Sequence, residues 1–113
     1  MVKLNLYKNN QIVLTKEGIL NNDVFIFDNI IFNKNKNTLT REDDNFKYFL
    51  NFDEEIAEVT IKEQDYILDL SIKLIEKNIN KKTIEIIYTI ESEEVIENKL
   101  EIIFDWVINS YWQ

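Results

Sequence analysis

The feature that most restricts the fold is an alternation of apolar and polar side chains that recurs through the second half of the chain. In Tyr66-Ile67-Leu68-Asp69-Leu70-Ser71-Ile72-Lys73-Leu74 every second residue is apolar, and most of those between are polar. The rhythm returns in residues 84–91 and again in residues 100–106. Successive side chains of a strand point to opposite faces, so a period of two marks a strand with one dry and one wet face. Consecutive segments of this kind predict an antiparallel meander. Asp69, Lys73, Glu85, Glu91, Glu101 and Asp105 share the solvent phase.

The first half adds shorter strands. Val2, Leu4 and Leu6 alternate with Lys3, Asn5 and Tyr7, and Lys8-Asn9-Asn10-Gln11 is turn chemistry, because asparagine accepts left-handed backbone angles at little cost. Ile12-Val13-Leu14-Thr15 then returns as the second arm of a hairpin. Gly18, the sole glycine, follows this arm, where a bend, a bulge or a positive φ is the usual reason for glycine. After the turn Asn21-Asn22-Asp23 come Val24–Phe27 and residues 30–32, as two short strands or one interrupted at Asp28-Asn29. Thr38-Leu39-Thr40-Arg41 is extended, and residues 46–52 place Phe46, Tyr48, Leu50 and Phe52 on one face. Asp53 can cap a short helix, but the β-branched run Val59-Thr60-Ile61 favours a strand. Residues 75–82 read as a basic hairpin loop, and Ser92-Glu93-Glu94 as the last hairpin turn. The apolar tail, residues 107–113, reads as a short helix over an open end or an extra strand.

The result is an all-β chain of eight or nine antiparallel strands. Closure into an up-and-down barrel removes the edges that a flat sheet leaves open. A two-sheet β-sandwich satisfies the same pattern. A length of 113 residues fits one domain over one core. With 45% apolar and 30% charged residues the chain has the balance of a globular protein. No apolar run approaches the roughly 20 residues of a membrane-spanning helix. Met1-Val2-Lys3-Leu4-Asn5-Leu6 alternates without the apolar block of a signal peptide, so a cytoplasmic location is the default.

The order of parts resembles a bacterial family of calycin-like, or lipocalin-like, β-barrel proteins of unknown function, formerly grouped as DUF1934. The pieces that carry the resemblance are residues 12–14 with Glu17-Gly18, then Asp23-Val24-Phe25-Ile26, then Leu39-Thr40-Arg41, then the three alternating segments. The chain is shorter than that family's members and lacks the turn glycines usual in them. The resemblance implies a lipocalin-like barrel and carries no activity with it.

Composition removes much chemistry. Without histidine or cysteine there is no Ser-His or Cys-His nucleophile and no usual zinc or copper ligand. One glycine cannot make a glycine-rich phosphate loop. A net charge of −8 argues against general nucleic-acid binding, which needs clustered cations. Glu85 with Glu91, or Asp69 with Glu101, have the makings of a glycosidase pair, but their solvent phase denies them the burial that raises an acid's pKa. Glu42-Asp43-Asp44 and Asp53-Glu54-Glu55 lack the glycine and spacing of a calcium loop and read as solvated turns. No cofactor or metal is expected.

The aromatic residues are more informative. Phe46, Tyr48, Phe52, Tyr66, Tyr88, Phe104 and Trp106 all fall in the core phase. A barrel of about eight strands is just wide enough to be filled by such rings or to hold one small ligand at a mouth. Arg41, the sole arginine, reads first as an ordinary surface residue, with a mouth ion pair or an anion clamp as the alternatives. The candidate ligand set at the mouth is therefore Arg41, Tyr48, Tyr66, Tyr88 and Trp106, and the candidate partner surface is Tyr111 and Trp112. These residues point to a non-enzymatic binding module for a small apolar ligand or a protein partner. The alternative is an acidic inhibitor or nucleic-acid mimic, using Glu91, Glu93, Glu94, Glu97 and Glu101 against a basic partner.

Overall fold

The computed structural model describes residues 1–91 and 95–104. Ten antiparallel strands follow one another: β1 (Val2–Lys8), β2 (Gln11–Asn21), β3 (Val24–Phe27), β4 (Ile30–Asn33), β5 (Thr38–Glu42), β6 (Phe46–Asn51), β7 (Ile56–Ile61), β8 (Tyr66–Ile79), β9 (Thr83–Ile90) and β10 (Glu97–Phe104). Each pairs with its neighbours in sequence, and β1 closes the ring against β10, from Val2 opposite Phe104 to Lys8 opposite Asn98. The fold is a closed up-and-down barrel, not a sandwich. No helix among the described residues is long and apolar enough to cross a membrane.

Two long strands make the corners. Residues 11–18 of β2 pair with β1, and residues 19–21 pair with β3. Residues 66–71 of β8 pair with β7, and residues 72–79 pair with β9. Gly18 sits where β2 changes partner. Its φ is not positive. A Cβ there would overlap the carbonyl oxygen of Ile26 and the ring of Phe27, so the glycine serves close approach of two strands rather than an unusual torsion.

The tight turns work without glycine. Asn9, Asn10, Asn22, Asp28, Asn37, Glu55 and Asp65 have positive φ, and all but Glu55 are Asn or Asp, the residues that tolerate this region best. Asp28 separates β3 from β4, which gives one or two more strands than the sequence pattern suggests. The basic segment after Leu74 is not a loop from its start. A bulge between Leu74 and Glu76 resets the register, and β8 runs on to Ile79 opposite Ile84. Residues 62–64 form one 3-10 turn after β7.

Inward positions pack one part of the lumen with large apolar side chains. Leu4, Phe25, Phe27, Ile30, Phe32, Phe52, Ile84, Ile86, Leu100 and Ile102 are buried. Phe25 stacks on Phe104 with ring centres 5.4 Å apart and leans on Phe32 at 6.1 Å. Outward positions are polar in sheet regions near β1 and β10, where Asn5 Nδ2 and Tyr7 Oη both donate to Glu101 Oε1, at 3.0 and 2.9 Å.

Candidate functional site

The packed rings do not reach one mouth of the barrel, where a cavity of about 400 Å³ remains. It is built by residues in phase with the core at the mouth ends of their strands. On β1 the series Val2, Leu4, Leu6 continues to Lys8; on β5 Leu39 leads to Arg41, and the phase runs on to Asp43. Tyr48 and Leu50 come from β6, Tyr88 and Ile90 from β9, and Asn98 from β10. Leu6, Leu39, Leu50 and Ile90 make the apolar wall, and Arg41, Tyr48, Tyr88, Asn98 and Lys8 bring polar atoms to it. A recess of about 220 Å³ adjoins it past Ile90, Asn98 and Ile96.

Pairing register fixes the neighbours of Arg41. It lies opposite Ile30 on one side and Tyr48 on the other, so its stem is held between β4 and β6. Its Nε is buried with no hydrogen-bond partner, and among the described residues it forms no ion pair. The nearest carboxylate in phase, Asp43, is committed elsewhere. Asp43 Oδ1 accepts from the backbone N–H groups of Phe46 (2.8 Å) and Asn45 (2.9 Å). Those two bonds, with smaller help from Arg41 and Lys62, hold the Asp43 carboxyl below its ordinary pKa.

Tyr88 is buried, with the ring of Phe52 edge-on at 5.0 Å. Burial pushes its hydroxyl up to about 12, against an opposing pull from the Arg41 charge. It is therefore a neutral donor throughout the physiological range. Tyr48 is steadied by Phe46, whose ring centre lies 6.0 Å away.

The mouth is braced on both sides. Lys62 Nζ meets Glu42 Oε2 at 2.6 Å and donates to the Asp43 carbonyl at 2.7 Å, tying the β5–β6 turn to the turn before β8. Across the ring, Asn9 N donates to the Glu97 carbonyl, and Glu97 N donates to Asn9 Oδ1 at 3.1 Å.

The structure thus brings together Arg41, Tyr48 and Tyr88 around one cavity. Tyr66 shares the inner phase through its pairing with Ile61, yet it stands 53% exposed and does not line the cavity, because β9 pairs with β8 only from Ile72 onward. Trp106, Tyr111 and Trp112 lie outside the described residues, as do Ser92, Glu93 and Glu94 and the apolar tail. Lys8, Asp43 and Asn98 were hidden in sequence by their place in or beside turns, although each keeps the phase of the apolar positions before or after it.

The acidic residues have other work. Glu85 and Glu101 face each other across β9 and β10 on the outer surface. Glu85 Oε1 is 3.7 Å from Lys99 Nζ, which lies 4.6 Å from the Tyr7 ring centre. Asp53 Oδ1 accepts from Asn37 Nδ2 at 2.8 Å, and Glu55 Oε2 accepts from Leu74 N at 3.0 Å beside the β8 bulge. No group of acidic residues that would hold a metal ion occurs among the described residues. Comparison with protein-family models, curated proteins and solved structures finds no match to this chain.

Proposed function

We propose that this chain is a non-enzymatic, cytoplasmic, calycin-like binding module that takes a small apolar ligand into the mouth of its barrel. The observation that supports this most is the cavity of about 400 Å³, apolar along Leu6, Leu39, Leu50 and Ile90 and set with a few polar tips. That size and lining suit ligand sites, which run from roughly 300 to 1,000 Å³ and combine apolar walls with few polar groups. Among the described residues lining the cavity Asp43 is the one carboxylate, so they do not form the carboxylate pair of a glycosidase.

The test is uptake of the neutral fluorophore N-phenyl-1-naphthylamine. The wild-type chain is expected to brighten it, Leu39→Trp, which fills the cavity, to lose at least about tenfold in affinity, and the outward control Thr40→Trp to keep it. Equal binding by all three chains would place the probe on the surface and end the luminal reading.

A protein partner is the second reading. Ile19, Ile26 and Ile31 are cross-strand neighbours on the outer face, and the row continues through Thr40 to Phe49. Ile19 is 58% and Ile31 40% exposed, a continuous apolar ridge of the kind that marks contact surfaces. Of the acidic-mimic set, Glu101 is engaged by Asn5 and Tyr7, while Glu93 and Glu94 lie outside the described residues.

A further inference from the structure

Arg41 is hard to explain by folding alone. A guanidinium is charged at every accessible pH and carries five donors in a fixed fork. Turning it into the lumen desolvates part of it, and the buried Nε–H receives nothing in return. A purely apolar cargo would leave that donor unsatisfied. An anion placed against it would supply the missing acceptor.

The surroundings narrow the anion further. A planar carboxylate matches the guanidinium fork with two parallel hydrogen bonds. Tyr48 lies directly across the strand pair from Arg41, and Tyr88 lines the same cavity close enough to feel its charge. Both carry hydroxyls that donate to a carboxylate oxygen. A dianion is disfavoured: Arg41 is the only arginine, the Asp43 carboxylate lies close enough to interact with its charge, and the whole chain carries −8. A wholly polar anion is disfavoured too, because Leu6, Leu39, Leu50 and Ile90 leave it nothing to bond.

We propose that the cavity selects an organic monocarboxylate with an apolar body, its head bound by Arg41 beside Tyr48 and Tyr88 and its body lying on Leu6, Leu39 and Leu50. The proposal rests on the cavity being a ligand site, and names the chemistry of that ligand.

The experiment compares decanoate, decanol and decyl phosphate as competitors of N-phenyl-1-naphthylamine on the full chain, with Arg41→Gln and Arg41→Lys beside the wild type. Charge-assisted hydrogen bonds of this type contribute roughly ten- to hundredfold in affinity. Decanoate is expected to bind wild-type protein at least about tenfold tighter than decanol and tighter than decyl phosphate. Arg41→Gln should bring decanoate within about twofold of decanol while leaving decanol unchanged, and Arg41→Lys should fall between. Decanoate no better than decanol, or an equal loss of both in Arg41→Gln, overturns the head-group assignment and leaves the apolar site standing. Failure of the neutral probe and of all three competitors on wild-type protein overturns both. Should Arg41→Gln fail to fold, the ranking of the three competitors on wild-type protein decides the matter alone.

Discussion

In the packed part of the lumen the inward positions hold Phe25, Phe27, Phe32 and Phe104; at the mouth the same phase holds Lys8, Arg41, Tyr48 and Asn98. Both sets arise from one rule, the two-residue repeat of a strand, and both sit inside one closed ring. What separates them is the side chain chosen at each inward position. Rings close the first part by interlocking, whereas charged and hydroxylated chains keep the second open, since their polar ends cannot be driven into an apolar core without partners. A small barrel therefore obtains its stability and its cavity from different stretches of the same strands.

The largest effect should come from the packed part. Phe27→Ala removes a fully buried ring and is expected to cost about 3–5 kcal/mol, against about 2 kcal/mol for Leu39→Ala beside existing space, as read from urea denaturation. Equal costs would mean that the mouth is as tightly packed as the rest. A change of opposite sign sharpens the contrast. In the ligand-free chain Arg41→Met should leave the denaturation midpoint unchanged or raise stability by up to about 1–3 kcal/mol, because a buried donor without an acceptor disappears. A marked loss would show that Arg41 supports the fold.

The smallest effect is a matter of pH. The folded Tyr88 hydroxyl titrates near 12 and an unfolded tyrosine near 10, so the folded state holds its proton longer. Its contribution is fully present below about pH 10 and is lost as pH rises from there toward 12. Spectrophotometric titration should show Tyr88 ionising late, and Tyr88→Phe should remove that late step and flatten the alkaline fall in stability. A normal titration midpoint for this hydroxyl would place it in water and the cavity wall elsewhere.

Much of this was legible in the sequence, for a physical reason. Strand phase is local, so the inward and outward faces of β1, β6, β9 and β10 follow from alternation, and with them the inner placement of Tyr48 and Tyr88. The inner placement of Arg41 on the short β5 shows only in its pairing with Ile30 and Tyr48. Features that depend on pairing were not legible. The bulge after Leu74 makes a polar run a strand, because its partner across the ladder is the apolar Ile84 and Ile86 edge of β9. Tyr66 has the right phase but lies beyond the reach of β9, which no local pattern shows. Gly18 was visible as unusual, but its cause, the approach of Ile26 and Phe27, comes from the neighbouring strand.

The seam between β1 and β10 carries one more consequence. Every other pair of strands is a hairpin of near neighbours, whereas this pair joins Val2 to Phe104. Hairpins form early and cheaply because little chain entropy is lost in closing them, and the contact between distant residues comes last. The cavity has β1, β9 and β10 on one side and β5 and β6 on the other, so it is completed only when the seam zips. Any cargo held there binds the zipped ring and not its precursors. It would act as a latch, slowing the unzipping of the terminal strands while leaving the rate of hairpin assembly untouched.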